Sequence, residues 1–501
     1  MSNNKYDILI AGSGLGGLVC GYILSKNGYK VIIVEKNPQI GGCLQTFKRG
    51  NVKFDTGMHY IGSMEEGQIL HRFFKYLNLL DDVPLSRLDK SGYDVISIAG
   101  EKYKFASGYD GFIEELARKF PQNKNDIQQY VRRIREIANA SPLYNLQEIN
   151  SPVFIEADYI KTSINEFIAS ITHNLRLQNV LAGNLPLYAG VKDKTPTYIH
   201  ALINNFYIQS AYRIVGGSDT IANSLAKSIQ SFGGKILTHA EVEQFICNEN
   251  KMTSVLLTNG NVIEADYFIS NIHPQITMEK IQSKLIRKVY RERIANLENT
   301  LSNFTLFIKF KKEQTEYLNY NFYYYDHEDV WASNNYDIDK LPQSYLYMHQ
   351  SVQDGATFAE SAQMIAYMHY NEVKQWENTK VGRRGADYKA FKAEKTQKML
   401  DKLENSFPHI KSAIDAVYTS SPLTYRDYTA TKEGSMYGII RDKNFPAHTL
   451  VSQRTKIPNL FMTGQNINSH GILGVTIGAM ITCAEFLGIN TIIREIEKVN
   501  N

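Results

Sequence analysis

The stretch YDILIAGSGLGGL, residues 6–18, carries the pattern on which the fold prediction depends. Its apolar start, residues 8–10, is typical of a buried parallel strand. Three glycines with the spacing G-x-G-x-x-G follow, at Gly12, Gly14 and Gly17. Apolar residues then recur at helical spacing over 18–24, and a second apolar run over 31–34 stops at Glu35. The order strand, glycine turn, helix, strand and acid predicts a dinucleotide-binding unit.

Each part of this unit has a physical role. The first glycine permits a tight turn, the second lets the backbone approach a pyrophosphate, and the third lets the helix pack close to the strand. The positive end of the helix then faces the phosphates. Glu35 would accept a hydrogen bond from a ribose 2′-hydroxyl, which argues against a 2′-phosphate there. A glycine turn that only joins a strand to a helix is disfavoured, because strand, helix and acid are all in place.

A second pair of glycines follows the acid in KNPQIGGCLQTF, residues 36–47. Gly41 and Gly42 stand about six residues beyond Glu35, and Lys36 is its direct neighbour. A nicotinamide-binding domain of the same type has no need of this second pair. In flavoproteins that resemble glutathione reductase, the same extension continues along FAD towards its ring system. We therefore predict that Lys36, Gly41 and Gly42 help to bind FAD.

Two further segments carry a family resemblance: FDTGMHYIG (54–62) and NLFMTGQNINSHGILGVTIGAMITCAEFLG (459–488). With them the chain resembles the phytoene desaturase, carotenoid isomerase and retinol saturase group of FAD-dependent oxidoreductases, and retinol saturase and carotenoid isomerase most of all. The resemblance covers most of the chain, with sharp motifs in four places. These are residues 6–62, 212–236, 421–439 and 459–488.

The resemblance implies the fold class α/β. A Rossmann FAD-binding domain like that of glutathione reductase is expected to be interwoven with a substrate domain of antiparallel sheet and helical cap. A chain of 501 residues is also too long for one compact core and suits two such domains. The predicted segments are the FAD-binding domain at 1–75, 206–290 and 426–501, the helical cap at 76–205, and the sheet and helix of the substrate domain at 291–425.

The composition excludes several classes of protein. Hydrophobic residues make up 43% and charged residues 21% of the chain, as in an ordinary globular protein. The net charge of +4 is small for this length and implies no nucleic-acid binding. The four cysteines lie far apart without a C-x-x-C pair, which suits a reducing cytoplasm. No residues with metal-ligand spacing stand out, so we expect no metal site.

The resemblance extends the predicted FAD site beyond the glycine run. Val242 is expected to contact the adenine end through its backbone. Gly464 and Asn466, in the segment TGQN, are expected along the ribityl chain and pyrophosphate. Relatives often carry an acid where this chain has Asn466, and an amide can still donate and accept hydrogen bonds there. Gly474 and Val475 begin a helix whose end is expected to point at the N1 and C2-carbonyl edge of the flavin.

Two histidines are candidates for catalysis. His59 lies in FDTGMHYIG, a segment expected near the flavin face, and His470 precedes Gly471. Reduction of a double bond requires a proton as well as a hydride, and histidine is the commonest proton donor. The alternative for both residues is a packing histidine bonded to the backbone.

The function implied by the resemblance is an FAD-dependent oxidoreductase that acts on carbon–carbon double bonds of a long apolar polyene or isoprenoid. It would be a saturase or desaturase that transfers a hydride at flavin N5. A redox-neutral carotenoid cis–trans isomerase that uses reduced FAD, and a flavin amine oxidase, are the enzymatic alternatives. The non-enzymatic alternative is a flavoprotein that carries a lipid or pigment without catalysing a reaction.

The sequence has no second G-x-G-x-x-G run, so NAD(P)H as electron donor would visit only transiently. The expected partner is an apolar small molecule, and the oligomeric state stays open. No apolar run of about 18 residues and no secretory leader is evident, so no membrane span is predicted. The expected location is the cytoplasm, with peripheral contact to a membrane as an alternative because the substrate is apolar.

Overall fold

The fold is seen in a computed structural model that describes residues 5–150, 157–350 and 355–501. Its strands are β1 (Tyr6–Ala11), β2 (Val31–Val34), β3 (Thr46–Arg49), β4 (Val52–Asp55), β5 (Ile61–Gly62), β6 (Leu85–Arg87), β7 (Asp94–Ile98), β8 (Glu101–Phe105), β9 (Ala211–Ile214), β10 (Lys235–Leu237), β11 (Val242–Cys247), β12 (Met252–Leu257), β13 (Val262–Ser270), β14 (Ser302–Phe310), β15 (Asn321–Tyr325), β16 (Ser344–His349), β17 (Ser361–Met368), β18 (Ile414–Ser420) and β19 (Leu460–Met462).

Helices are interspersed among the strands, and the elements described between β8 and β9 are all helical. They are α1 (Leu15–Lys26), α2 (Ile69–Tyr76), α3 (Tyr109–Lys119), α4 (Lys124–Asn139), α5 (Ala157–Lys161), α6 (Ile164–Ala169), α7 (Leu175–Leu181), α8 (Thr197–Gln209), α9 (Asp219–Ser231), α10 (Pro274–Glu279), α11 (Lys288–Ala295), α12 (Ala386–Ser406), α13 (Pro422–Thr429), α14 (Pro446–Thr449), α15 (Gly471–Leu487) and α16 (Ile489–Asn500).

The first sheet has the strand order β10-β2-β1-β13-β12-β11, and β13 also pairs with β19. Strands β10, β2, β1, β13 and β19 are parallel. Every residue of β2 is buried, as expected for a strand covered on both faces. The predicted strand, glycine turn, helix and strand at the N-terminus are therefore confirmed. So is the α/β fold with a Rossmann sheet.

The second sheet has the order β18-β14-β17-β16-β15-β7-β8. Its neighbours are antiparallel except for β7 and β15, which run parallel with Asp94 opposite Asn321. Strands β7 and β8 come from the stretch 76–205, which the sequence predicts only as helical cap. The alternating burial of β8, in the order exposed, exposed, buried, exposed, buried, is the period-two pattern of a strand with one covered face.

The cap helices pack on one face of this second sheet. One buried cluster joins residues of α3, α4 and α7 to strand residues such as Ile96 and Tyr323. His200 of α8 lies inside this cap, fully buried, and its two ring nitrogens each lie 2.8 Å from a tyrosine hydroxyl, of Tyr130 and of Tyr188. Burial lowers the pKa of His200 to about 3.

Over the described ranges, no single helix has both the length and the apolar character to cross a membrane. Helices α15 and α16 meet that test only as a pair, and they are bent by 118° relative to each other. Most of α15 is buried in this structure.

The buried neutral His200 predicts a loss of stability in mild acid. The unfolded chain binds a proton at this histidine below its ordinary pKa of 6.5, whereas the folded chain does so only near 3. The free energy of unfolding should therefore fall as the pH drops below about 6.5, by up to about 1.4 kcal/mol per pH unit from this one group. Urea denaturation at a series of pH values measures the slope.

His200→Gln should lower stability at neutral pH and also reduce that slope. Removal of the exposed His448 by His448→Gln is the matched control, and it should leave the slope unchanged. Equal slopes in the wild type and His200→Gln would contradict the prediction.

Candidate active site

A large cavity lies between the second sheet and the carboxyl ends of the strands of the first sheet. Its volume, including its mouth, is about 1660 Å³. One wall is the backbone of the glycine segments, and the other is formed by aromatic side chains of the second sheet and the cap. Seven of the residues predicted for the site line it: Gly14, Gly41, Gly42, His59, Gly464, Asn466 and Val475.

The glycine wall depends on close contacts between three backbone segments. A Cβ atom at Gly17 would lie 2.1 Å from the carbonyl oxygen of Gly12, so only glycine lets α1 pack against this turn. A Cβ at Gly16 would lie 2.8 Å from Asn271 Oδ1 and 3.0 Å from the backbone of Gly464. These contacts leave a rim of bare backbone facing the cavity, as a pyrophosphate requires.

Asn271 is a contact that the sequence analysis missed. It follows β13 directly, its backbone N–H donates to Ala11 O at 2.9 Å, and its side-chain amide donates to Gly12 O at 3.3 Å. The sequence pattern that could have identified it is a polar residue directly after a buried strand, because ligands bind at the carboxyl edge of a parallel sheet. It ties the turn after β1 to the one after β13.

Glu35 lies at the tip of β2 and is 6% exposed. Its Oε2 accepts hydrogen bonds from Ser13 N (3.0 Å) and Ser13 Oγ (2.6 Å), and its Oε1 accepts one from Asn37 N (2.9 Å). Each carboxylate oxygen has two lone-pair sites, so Oε1 can accept one more bond. Glu35 therefore braces the glycine turn and keeps an acceptor for a ribose hydroxyl.

Lys36 and Val242 do not line the large cavity. The Lys36 ammonium donates to Asp427 O at 2.6 Å, and burial lowers its pKa. The carbonyl of Val242 accepts a hydrogen bond from Lys280 Nζ at 2.6 Å. Both residues lie on the side of the first sheet that carries Glu35, since Ala240 N donates to Glu35 O at 2.8 Å. The adenosine end of FAD belongs on this side in the predicted orientation.

Helix α15 begins at the cavity. Gly471, Ile472 and Val475 of its first turns line the cavity, whereas Gly474 faces Ser469, which its Cβ would approach to 2.7 Å. The first turn carries no acidic residue. Its unpaired N–H groups and the helix dipole present positive potential to whatever occupies the cavity.

The opposite wall is aromatic. Six tyrosines contribute to it: Tyr60, Tyr207, Tyr345, Tyr367, Tyr425 and Tyr437. Burial raises the pKa of each of them above its ordinary value, so all six are neutral. Hydroxyls of this group bond to the protein, as Tyr425 does to Thr56 O (2.9 Å) and Tyr437 to Pro186 O (2.8 Å). The tyrosine rings therefore add apolar area to the wall.

The structure separates the two candidate histidines. His59 lines the cavity, and burial together with the charge of Arg213 lowers its pKa to about 4. His470 is not among the lining residues. Its ring packs 4.5 Å from the ring of Tyr437, its Nε2 is buried without a hydrogen-bond partner, and burial lowers its pKa to about 4. Both imidazoles are thus neutral at pH 7, and only His59 is in the cavity wall.

No Asp, Glu, Lys or Arg lines the cavity within the part of the chain that the structure describes. In the same residues, no group of three His, Cys, Asp or Glu side chains is arranged to hold a metal ion. The bare glycine backbone, the free acceptor on Glu35 and the start of α15 fit a bound FAD. Its pyrophosphate, ribose and ring system each have a partner of suitable chemistry.

A parallel sheet with this glycine turn, joined to an aromatic cavity, defines an FAD-dependent oxidoreductase. The sequence profile of the family described as "Flavin containing amine oxidoreductase" matches residues 15–480. The chain belongs to this family, and FAD is its cofactor.

Individual relatives differ in what their names describe. The chain is 28% identical to human all-trans-retinol 13,14-reductase over 96% of this chain and 86% of that protein. It is 24% identical to the chloroplastic prolycopene isomerase of Daucus carota, over 87% and 72%. Among solved structures, an oxidoreductase from Methanosarcina mazei has the same fold, with a TM-score of 0.62 at 16% identity over 95% of this chain and 99% of that one.

The position of Glu35 predicts its effect on cofactor affinity. Glu35→Gln removes the negative charge and replaces one acceptor oxygen by an amide NH₂. Both changes should weaken the hydrogen bonds that Ser13 and a ribose hydroxyl donate to this side chain. Charge-assisted bonds of this kind contribute roughly 1.5–3 kcal/mol, so FAD affinity should fall by about 10- to 100-fold. Titration of the apoprotein with FAD, followed by flavin fluorescence, measures this.

Glu249→Gln, at an exposed turn, is the matched control and should bind FAD like the wild type. Wild-type affinity in Glu35→Gln would show that this carboxylate only braces the turn.

Proposed function

We propose that this enzyme reduces a carbon–carbon double bond in a long, apolar polyene. The observation that carries the proposal is the cavity lining, which is rich in aromatic and apolar side chains and has neutral polar groups but no ionised side chain among the described residues. Burying a charged substrate in such a lining costs free energy, whereas a hydrocarbon chain gains it. The names of the human and carrot relatives, a retinol reductase and a prolycopene isomerase, support a polyene as substrate.

FAD in its reduced form supplies a hydride for this chemistry. We assign its pyrophosphate to the turn of Gly12, Gly14 and Gly17 and its ribose to Glu35. The adenine end is assigned to the backbone of Val242, with Lys36 nearby. The remaining predicted residues, Gly41, Gly42, Gly464, Asn466, Gly474 and Val475, would hold the ribityl chain and the flavin ring. Asn466 Oδ1 accepts a bond from Ile439 N at 2.8 Å, which fixes its amide orientation at the cavity wall.

The start of α15 would stabilise negative charge on the reduced ring through its dipole and free N–H groups. His59 would donate the proton that accompanies the hydride. Because its pKa is about 4, it would do so as a neutral imidazole. His470 is proposed to support the Tyr437 ring.

We propose a nicotinamide nucleotide that visits transiently as the electron donor. The cytoplasm, with peripheral membrane contact during substrate uptake, is the proposed location. The division of the chain into FAD-binding segments and substrate segments, as the sequence predicts it, is part of the same proposal.

Redox-neutral isomerisation is the second candidate, and the carrot relative favours it. An isomerase would use the same cavity and reduced FAD but return the hydride to the cofactor, so substrate and product would have equal mass.

Anaerobic incubation of the holoenzyme with a reductant tests the function. The substrates are all-trans-retinol, a hydrocarbon polyene and, separately, an alkylamine. Mass spectrometry of a polyene product that has gained two hydrogens is the expected result. Equal mass with altered retention would establish isomerisation instead. Amine oxidation with hydrogen peroxide formation in air, and no change in either polyene, would overturn the proposal.

The two histidines give a matched pair of variants. His59→Gln should lower the rate of polyene reduction by about 10²–10⁴-fold, because a positioned proton donor contributes that much. His470→Gln should stay within about threefold of the wild type, since His470 does not line the cavity. Flavin absorbance confirms equal cofactor content, and rapid-mixing spectroscopy gives the rates. Equal losses in both variants would contradict the assignment of the donor.

A further inference from the structure

Behind His59 lies a second, much smaller chamber with polar walls. His59 lines both this chamber and the large cavity, so its side chain belongs to the partition between them. The chamber has room for about one water molecule. Its polar lining consists of Asp55, His59, Arg213, His349, Gln350 and Gln363.

Arg213 brings an incompletely bonded charge into this chamber. It lies on β9 and is 2% exposed. Its Nη2 donates to Tyr320 O (2.7 Å) and Asn321 Oδ1 (3.2 Å), and its guanidinium carbon lies 5.6 Å from the centre of the Tyr317 ring. Nε and Nη1 are buried without a hydrogen-bond acceptor among the described residues. A guanidinium stays protonated, so the three N–H donors on Nε and Nη1 remain to be satisfied. Such buried donors are normally bonded to protein or to ordered water.

The chamber also has an unpaired acceptor. Gln363 of β17 is 1% exposed and donates through Nε2 to Asp55 O at 2.9 Å, while its Oε1 is buried without a partner. A water molecule can accept from Arg213 and donate to Gln363. An anion could satisfy only the arginine, which makes water the better occupant.

The other polar groups of the chamber are already engaged. His349 Nδ1 accepts from Leu318 N at 3.0 Å, and its Nε2 lies 2.8 Å from Tyr347 OH. Asp55 accepts two bonds from Ser218 and one from Gln350. His59 is the residue of this set that also reaches the substrate cavity.

We propose that the chamber holds a water molecule that reprotonates His59, and that Arg213 is a positioning residue which holds this water. The inference rests on the proposed function, because it supplies the proton for polyene reduction. It adds a route for protons that does not pass through the apolar cavity.

The step balances as follows. Reduction forms two C–H bonds and takes both electrons from reduced FAD as a hydride. The electron pair of the double bond forms the second C–H bond with the proton of a His59 N–H, which breaks. The other ring nitrogen of His59 takes a proton from the chamber water, so the imidazole stays neutral and hydroxide remains beside Arg213. A proton from solvent restores the water.

Charged and titratable groups on the neighbouring elements influence the pKa of His59. Arg213 on β9 lowers its pKa, and burial acts in the same direction. Asp55 follows on β4, and His349 lies on β16. Asp94 of β7 is joined to Arg213 through Asn321, whose Nδ2 donates to Asp94 at 2.8 Å, and Tyr60 OH donates to the same carboxylate at 3.0 Å. Burial raises the pKa of Asp94 to about 7.

Arg213→Met removes the charge and the water-binding donors at similar side-chain length, and Arg213→Lys keeps the charge. Hydrogen–deuterium exchange at histidine C2, followed by mass spectrometry of peptides from the holoenzyme, gives a titration midpoint for each histidine. Arg213→Met should raise the His59 midpoint by about one pH unit or more, and Arg213→Lys should raise it less. His200, whose shift comes from burial alone, is the internal reference.

The rate of polyene reduction should fall about tenfold or more in Arg213→Met with unchanged flavin content, consistent with the loss of a proton relay. Its pH profile should also move with the His59 midpoint. Arg132→Met, an exposed arginine on α4, is the control for loss of positive charge. Gln363→Met, which removes the acceptor, should slow reduction while the His59 midpoint stays within about half a pH unit of the wild type.

An unchanged His59 midpoint together with an unchanged reduction rate in Arg213→Met would overturn the inference while the proposed function stands. If the wild type reduces no polyene, the proposed function fails and the relay fails with it.

Discussion

The architecture depends on the close approach of three backbone segments at the carboxyl edge of the first sheet. The turn after β1, the turn after β13 and the turn after β19 meet where Gly12, Gly16 and Gly464 carry no side chain and Asn271 bonds between them. A Cβ at Gly16 or Gly464 would collide with the Asn271 side chain, and one at Gly17 would collide with the backbone of Gly12, which cannot move without moving the strand. Because the strands are held there, the start of α15 and the aromatic wall face each other across one cavity.

Much of the first sheet could be predicted because its signals are local. The apolar runs of β1 and β2, the glycine spacing and the acid at Glu35 lie within one stretch of chain. The pairing of β7 with β15 could not be predicted in this way, because it joins residues more than 200 positions apart in the chain.

The same difference between local and long-range signals explains which site residues could be predicted. Seven predicted residues line the cavity because their motifs fix local backbone geometry. His59 and His470 could not be told apart by sequence, since what separates them is the set of neighbours each acquires. Arg213 reaches His59 only because β9 pairs with β5, and Tyr437 reaches His470 across a loop. Asn271 and the six tyrosines were missed for this reason.

The placement of charge links these features to function. Charged and titratable groups such as Arg213 and Asp55 line the small chamber behind the wall, whereas the large cavity presents rings, backbone, neutral polar side chains and neutral imidazole. An amine substrate would carry its own positive charge into this lining, which offers tyrosine ring faces and neutral polar groups but no carboxylate among the described residues. A polyene meets no such demand, and its reduction requires only a hydride and a single proton. In the proposed reaction, a partition that keeps charge on one side and admits a proton through His59 would satisfy both requirements.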